Sequence, residues 1–228
     1  MKNKELVLSA IEQIKKGYNK EAIEKLNSFM LLNEKAPTTK INIFDWCSKE
    51  KYRKPLLGVF HNCTTKEAVA TDGVALIAST LHFVEPNETT LMTEGNGEHN
   101  GYIITKKGEY IDDVVYPNYS RIIPEYSMTI EIDKTYLAET IRKLKATGEK
   151  RTCAINVTNN DDIPIFLQPK YVQKLITLPD DGTFTAHKNE YGHKPLVFKS
   201  KTITALFLPY MYGKNMDYEL NDGIIYFN

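Results

Sequence analysis

The apolar positions of the N-terminal segment recur at helical spacing. Leu6, Ala10, Ile11 and Ile14 share one helical face, and Gly17 is placed to end that helix. A second helical set follows Asn19, with apolar residues at Ala22, Ile23, Leu26, Phe29 and Met30. The pattern predicts an N-terminal helical hairpin, followed by the linker-like segment NEKAPTTK at residues 33–40.

Beyond the linker the pattern changes to short β-rich runs separated by turn residues. The first runs predicted as strands are PLLGVFHN (55–62), EAVATDG (67–73), VALIAST (74–80) and LHFVE (81–85). The polar, glycine-rich residues 93–101, TEGNGEHNG, are predicted to form a mobile loop. A strand at 128–132 followed by a helix at about 134–146 predicts the start of a second domain. We therefore predict two domains, at residues 1–125 and 126–228.

The second predicted domain continues with strands and one more helix. The 134–146 helix places Leu137, Ile141 and Leu144 on one face and basic residues on the other. The segment 169–178 is predicted to be a short helix, because Pro169 is favoured in a first helical turn. Strands are predicted around residues 152–159, 164–168, 182–189, 194–200 and 203–210, with a final hairpin centred on residues 221–223.

One turn between two apolar runs stands out. Asp72 and Gly73 follow the run that ends at Thr71, and glycine adopts positive φ without steric cost. Asp-Gly between alternating apolar residues is a strong hairpin signal. From these residues alone, the segment is a β-turn.

Composition and charge narrow the function classes. The 228 residues are 42% hydrophobic, and 29 basic residues balance 29 acidic ones, so the chain as a whole does not attract nucleic acid or anionic membranes. The first apolar run is too short for a signal peptide or a membrane span, which predicts a cytoplasmic protein with no membrane partner. The odd, dispersed cysteines predict reduced and mostly packed thiols: Cys47, Cys63 and Cys153.

The sequence contains none of the common catalytic or ligand-binding motifs. The chain has no glycine-rich phosphate loop, HExxH motif, nucleophile elbow or calcium loop. Its histidines lack ligand spacing and are expected at the surface or at strand ends: His61, His82, His99, His187 and His193. We therefore predict no enzyme, no cofactor and no metal site.

Three segments together resemble the bacterial DNA polymerase III β sliding clamps. ATDGVALIA (70–78) resembles the ATDGHRLA segment of that family's second domain. YPNYSRIIPE (116–125) resembles its interdomain FPDYRRVIP segment, and ALFLPYMY (205–212) resembles its C-terminal VVMPMR strand. The segments occur in the family's order, although a third domain is missing and the N-terminal hairpin has no counterpart.

The resemblance implies an α+β, DNA-clamp-like fold of repeated strand-helix-strand units with antiparallel sheets, plus the N-terminal helical hairpin. It also implies a hydrophobic cleft that binds short peptides of polymerases or repair proteins. Matched position by position, the cleft residues are Leu57, Thr71, Gly73, Leu76, Pro117, Arg121, Ile122, Leu206, Leu208, Pro209 and Tyr210. Val74, Ala75, Ser120 and Tyr210 depart from the family's residues, which predicts a cleft with narrower specificity.

Besides an unrelated enzyme whose active site carries none of the motifs above, the sequence leaves two functions open. The first is a DNA-sliding-clamp-like processivity or docking factor, from a phage or mobile element, that holds duplex DNA non-specifically. Its predicted phosphate contacts are Arg142, Lys143, Lys170 and Lys174, with Lys145, Lys150 and Arg151 as outer contributors. Two domains per chain would need three chains for a six-domain ring. The alternative is a peptide-binding adaptor that has the clamp fold but does not encircle DNA.

Overall fold

The computed structural model describes residues 41–86, 90, 92–95, 98–124, 128–148, 151–158, 164–186, 195–210, 218–221 and 223–227. All of these residues belong to one compact unit, Ile41–Asn228. The predicted N-terminal helical hairpin lies outside the described residues.

Strands dominate the described chain, with two α-helices among the described elements. The elements before the first helix are β1 (Val59–Asn62), β2 (Glu67–Thr71), β3 (Ala75–Ser79), β4 (Thr93–Gly95), β5 (Glu98–Ile104), β6 (Tyr110–Ile111), β7 (Val115–Tyr116) and β8 (Met128–Ile130). The elements that follow are α1 (Lys134–Thr147), β9 (Thr152–Asn156), β10 (Phe166–Leu167), α2 (Pro169–Ile176), β11 (Thr183–Ala186), β12 (Leu196–Lys199), β13 (Ile203–Phe207), β14 (Tyr218–Asn221) and β15 (Ile224–Phe227). Short 3₁₀ helices lie at Ile43–Trp46, Lys54–Leu57, Thr80–His82 and Tyr119–Ile122.

The strands form two sheets. The larger sheet has the order β7-β4-β5-β1-β2-β3-β13-β12-β11-β8, with β6 added beside β5. Its neighbours are antiparallel except β4 and β7, which are parallel. The smaller sheet has the order β10-β9-β15-β14. The predicted α+β class is confirmed.

Both helices follow local signals in the sequence. The Asp133 carboxylate caps α1 by accepting hydrogen bonds from the Thr135 and Tyr136 N–H groups, each at 2.9 Å. Gly148 ends the helix in the left-handed conformation. Leu137 and Ile141 are buried, so the predicted apolar face of α1 is confirmed. The α2 helix begins at Pro169, as predicted.

The central strands of the large sheet bury both faces. Alternate side chains enter two clusters, because successive residues of a strand point to opposite faces. One cluster joins both helices and both sheets, and includes Leu137, Tyr171, Leu175, Phe198 and Phe207. The other lies on the opposite face, where Tyr116 and Tyr119 cover Phe60, Val69, Leu76 and Leu206.

Two segments adopt a secondary structure different from the one predicted. The pattern predicts a strand at residues 81–85, but Thr80–His82 is a 3₁₀ helix and the residues after it are not in a strand. The His82 ring is held between the Ser79 hydroxyl (2.8 Å) and the Ile41 carbonyl (3.1 Å), which fixes this local turn. Composition predicts a loop at residues 93–101, but Thr93–Gly95 and Glu98–Ile104 are paired strands.

The predicted boundary after residue 125 stays a prediction. The large sheet continues across it, because β3 from the first predicted domain pairs with β13 from the second. Leu76 stands opposite Leu206, and Ala75 stands opposite Phe207. This pairing brings the ATDG turn beside the end of β13.

Candidate functional site

The turn between β2 and β3 is held by its own side chains. The Asp72 carboxylate accepts hydrogen bonds from the N–H groups of Val74 (3.0 Å) and Ala75 (2.9 Å). The Thr71 hydroxyl donates to the Ala75 carbonyl at 2.8 Å and accepts from the Gly73 N–H at 3.0 Å. Gly73 has φ of +89°, and the Arg53 guanidinium occupies the space that a β-carbon would need. The predicted Asp-Gly turn is confirmed.

Asp72 also connects this turn to α2. Its second carboxylate oxygen lies 3.2 Å from the Lys174 ammonium, and both side chains are largely buried. The Arg53 guanidinium donates to the Asp72 carbonyl at 2.9 Å. Burial, together with the nearby Asp72 charge, raises the pKa of the Tyr171 hydroxyl. The turn is therefore fixed to residues that lie about twenty and one hundred positions away in sequence.

Burial and charge shift the pKa values of Asp72 and Lys174 in opposite directions. Burial alone would raise the pKa of Asp72, but the Ala75 N–H, the Lys174 charge and the Val74 N–H outweigh it and lower the pKa. Burial lowers the pKa of Lys174, and the Asp72 charge offsets only part of that shift. The Lys174 ammonium also lies 5.1 Å from the Trp46 ring centre and 5.3 Å from that of Tyr171. It is enclosed by aromatic rings and its carboxylate partner.

A cavity of about 410 Å³ opens beside the turn, and we call it the cleft. Residues 208–210 continue past β13 along one side of it. The Leu208 N–H donates to the Val74 carbonyl at 2.8 Å, and the Tyr210 N–H donates to the Phe166 carbonyl at 2.7 Å. The lining residues are Val74, Gln168, Lys170, Tyr171, Leu208, Pro209 and Tyr210.

The cleft combines an apolar surface with a few polar groups. Val74 is 36% exposed and Leu208 is 40% exposed, so both apolar side chains contribute to the surface of the cavity. The Tyr210 ring is fixed by the Phe227 ring, with centroids 4.8 Å apart. Gln168 and Lys170 add hydrogen-bonding groups at the start of α2. Such a mixture suits the capture of an apolar peptide.

The structure brings together three of the predicted cleft residues in this cavity: Leu208, Pro209 and Tyr210. Thr71 and Gly73 form the adjoining turn. Leu76 and Leu206 are cross-strand neighbours, but at 1% and 2% exposure they lie in the second core cluster. Leu57 packs partly against the same cluster.

The remaining predicted cleft residues lie after β7. Pro117, Arg121 and Ile122 are exposed, and Ile122 is 52% exposed. Their segment is attached through Tyr119, whose hydroxyl accepts a hydrogen bond from the Asn62 amide at 3.0 Å. None of the three lines the cleft. Their role in peptide binding stays a prediction.

The sequence alone does not identify several residues of the site. Gln168 and Tyr171 stand out in the sequence only as parts of a short helix, and nothing in the sequence singles out Arg53. Their local sequence carries no sign of the cleft. Gln168 and Tyr171 line it from the start of α2, and Arg53 contacts the adjoining turn through the Asp72 carbonyl. The helix start at Pro169 is the one available signal for their position.

The predicted DNA contacts fall into two environments. Arg142 and Lys143 are exposed on α1, where Arg142 lies 3.5 Å from Glu139 in a weak surface pair. Lys170 is exposed, with its ammonium 4.5 Å from the Tyr171 ring centre. Lys174 is paired with Asp72. All four assignments to DNA stay predictions.

A metal-binding cluster or a reactive thiol could also form a functional site. No group of three or more histidine, cysteine or acidic side chains among the described residues is arranged to hold a metal ion. No described helix is long and apolar enough to cross a membrane. Cys47, Cys63 and Cys153 form no disulfide bonds, and burial raises the pKa of Cys47 to about 12, so its thiol is protonated at neutral pH.

The chain is similar to the solved structures of bacterial sliding clamps. The β sliding clamp of Caulobacter crescentus is 14% identical, and the match covers 75% of this chain and 63% of that chain with a TM-score of 0.53. The Bartonella birtlesii clamp, solved bound to griselimycin, gives the same values. The DNA polymerase III subunit beta of Borrelia burgdorferi, solved in complex with a natural product, is 13% identical, with 75% and 59% coverage and a TM-score of 0.54.

These matches establish the fold. No protein-family model matches the chain, and no curated protein sequence matches it. The chain spans less than two thirds of the length of the clamps it matches. The predicted resemblance to the bacterial clamps and the predicted clamp-like fold are confirmed.

Proposed function

Because this chain has the DNA-clamp fold, we propose that it is a non-catalytic docking factor of the sliding-clamp type. The cleft beside the ATDG turn carries this proposal: an exposed Leu208 and Val74 face a cavity of about 410 Å³ within that fold. The ligand-bound Bartonella and Borrelia clamps support a recognition role for proteins of this fold. The proposed ligand is a short peptide of a DNA polymerase or repair protein, with apolar side chains that enter the cleft.

Peptide titration tests the cleft directly. A labelled Gln-Leu-Ser-Leu-Phe peptide is expected to bind with micromolar affinity, about −8 kcal/mol. Leu208→Asp should weaken binding at least tenfold, because a carboxylate would be desolvated against the apolar ligand. Fluorescence anisotropy measures the affinity, and circular dichroism checks the fold.

The matched control is Leu220→Asp. Leu220 is 61% exposed on β14 and does not line the cleft, so this variant should bind like the wild type. Absence of binding by the folded wild type, or equal loss in the two variants, would contradict the proposed site.

We also propose that α1 contacts duplex DNA through its exposed basic face. Charge reversal at Arg142 and Lys143 should weaken DNA binding and reduce the salt dependence, by a slope of about 0.9 for each phosphate that the protein no longer neutralises. Filter binding between 50 and 200 mM salt measures both effects. Reversal of Lys106 and Lys107, exposed residues on the β5–β6 turn, is the matched control. Equal losses in both double variants would point to net charge instead of a DNA-facing helix.

We further propose that several copies of the chain form a ring. If the two predicted domains are correct, three chains would complete a six-domain ring, with contacts at the terminal strands β7 and β8 of the large sheet. Three times 26.1 kDa gives a trimer of about 78 kDa by light scattering. A concentration-independent monomer would favour the adaptor that does not encircle DNA.

A further inference from the structure

A second concave surface lies next to the cleft, and we call it the groove. It opens between the last turns of α1, the start of β9 and the first turn of α2, with a volume of about 480 Å³. Its floor is apolar: Ile141 and Cys153 are at most 8% exposed, and Leu144 packs partly against the core. Pro169 adds a further apolar surface.

The rim of the groove is basic. Its charged lining residues are Lys145, Arg151 and Lys170, and no carboxylate is among the described residues that line it. The Arg151 guanidinium lies 4.4 Å from the Tyr226 ring centre and donates to Glu219 at 3.1 Å. The Lys170 ammonium lies 4.5 Å from the Tyr171 ring centre. Two of the three cations are therefore positioned by aromatic rings before any ligand arrives.

The groove is continuous with the cleft. Gln168 and Lys170 line both cavities, so only the first residues of α2 separate them. A peptide that leaves the cleft over these residues enters the groove directly. Extended chain covers about 3.3 Å per residue, so a flank of a few residues is enough to reach it.

We propose that the groove binds an acidic segment that flanks the docking motif of the partner and carries one apolar residue. This inference rests on the proposed function of the cleft. Lys145 and Lys170, together with Arg151, which shares its charge with Glu219, select negative charge. The apolar floor of Ile141, Leu144 and Cys153 selects an apolar side chain between the acids. A DNA backbone would satisfy the cations but would leave the apolar floor unfilled. The groove thus favours an acidic peptide over nucleic acid.

The experiment compares peptides that differ only in the flank. The core peptide Gln-Leu-Ser-Leu-Phe is extended at either end with Asp-Glu-Leu-Glu, with Asp-Glu-Ser-Glu, or with the neutral flank Gln-Gln-Ser-Gln. Only one end of the bound core peptide can lie next to the groove. At that end, the Asp-Glu-Leu-Glu flank should raise the affinity about tenfold over the neutral flank. The serine flank should give a smaller gain, since it cannot fill the floor.

The protein variant is Lys145→Gln/Arg151→Gln, which removes charge from the rim and leaves the cleft residues in place. It should abolish the gain from the acidic flank while the core peptide binds as to the wild type. The matched control, Lys106→Gln/Lys107→Gln, should retain the gain. Circular dichroism confirms that both variants are folded.

Each outcome has a separate meaning. If the core peptide binds but an acidic flank at neither end raises its affinity, the proposed groove site is wrong and the proposed cleft site stands. A gain that persists in Lys145→Gln/Arg151→Gln while DNA binding falls assigns the rim to DNA and also overturns the proposal. If the Asp-Glu-Ser-Glu flank raises the affinity as much as the Asp-Glu-Leu-Glu flank does, the apolar floor does not bind a side chain and that part of the proposal is wrong.

Loss of core-peptide binding would instead contradict the proposed function of the cleft. If the core peptide does not bind, isolated Asp-Glu-Leu-Glu is titrated at millimolar concentration with NMR detection. Binding that depends on Lys145 and Arg151 would support the groove without the cleft. No binding of either peptide would overturn both.

Discussion

Lys174→Met is expected to lower the free energy of unfolding by about 3 kcal/mol. The Lys174 and Asp72 side chains are only 15% and 17% exposed, so the methionine variant leaves a buried carboxylate without its cation. Hydrogen bonds from the Val74 and Ala75 N–H groups remain, which keeps the loss at the lower end for a broken buried pair. The pair links the ATDG turn to α2, so its loss affects one wall of the cleft.

Urea denaturation at pH 7 measures the effect of Lys174→Met. The matched control is Lys170→Met, one helical turn earlier and exposed, which should change stability by less than about 0.5 kcal/mol. Adding Asp72→Asn to Lys174→Met should recover part of the loss, because the unpaired charge is removed. Equal stabilities of the two single variants would show that the Asp72–Lys174 pair does not support the fold.

Acidification supplies an independent check with a defined sign. The pKa of Asp72 is below its ordinary value in the folded state, so its contribution is present above pH 3.8 and is lost as the pH falls through the folded pKa. In Lys174→Met the missing cation should raise that pKa. The gap between variant and wild type should therefore narrow at acid pH. A gap that is constant with pH would argue against an electrostatic origin.

The same variant separates two roles of Lys174. If the ammonium serves only Asp72, Lys174→Met should leave the salt dependence of DNA binding unchanged, whereas Arg142→Glu/Lys143→Glu reduces it. A slope reduced by about 0.9 would instead mean that Lys174 neutralises one phosphate. DNA binding by the folded variant decides between these roles.

The wild-type protein is expected to lose up to about 3 kcal/mol of stability between pH 7 and pH 4 through His61 alone. Burial, with a smaller effect of His82, lowers the pKa of His61 from 6.5 to about 4. The unfolded chain therefore takes up this proton first as the pH falls. Stability declines through the window from pH 6.5 to 4, and the loss from this group is complete below it.

His61→Asn tests the assignment by the slope of stability against pH. The His61 Nδ1 accepts from the Val84 N–H at 3.2 Å, a bond that an amide oxygen can replace, while the ring stacks on Tyr102 at 4.7 Å. The variant should be less stable at pH 7 but flatter between pH 7 and 4. Tyr102→Phe, which retains the stacked rings, should keep the wild-type slope. An unchanged slope in His61→Asn would assign the acid sensitivity to other groups.

His61 also shows a limit of sequence interpretation. The scattered histidines are predicted at the surface or at strand ends, but His61 lies within β1 at 5% exposure. The prediction is wrong because ring stacking and one backbone hydrogen bond satisfy a neutral imidazole inside the sheet. Nothing in the residues around His61 encodes the position of Tyr102, which comes from the neighbouring strand β5.

The glycine-rich segment at 93–101 departs from its prediction for a related reason. Composition favours a loop, yet Gly101 pairs with Asn62 in the sheet. The Phe60 ring occupies the space where a β-carbon of residue 101 would lie, so only glycine lets this aromatic ring pack over the strand. Close approach of a distant side chain, which is invisible in local composition, places a strand where a loop is predicted.

Local chemistry is enough to predict the elements whose signals lie within a few residues. The Asp72-Gly73 turn, the α1 helix between the Asp133 cap and Gly148, and the start of α2 at Pro169 all follow from short-range hydrogen bonding and backbone preference. The three clamp-like segments, which are also local, indicate the fold.

The composition of the cleft depends on contacts between distant parts of the chain. Leu76 pairs with Leu206, and the Lys174 ammonium donates a hydrogen bond to the Asp72 carboxylate; both contacts join positions more than one hundred residues apart. Strand periodicity specifies which face of a strand is apolar, but it does not specify which strand becomes its neighbour. That choice follows from the packing of the whole core, which places Gln168 and Tyr171 in the cleft and buries Leu76 and Leu206 beneath the surface.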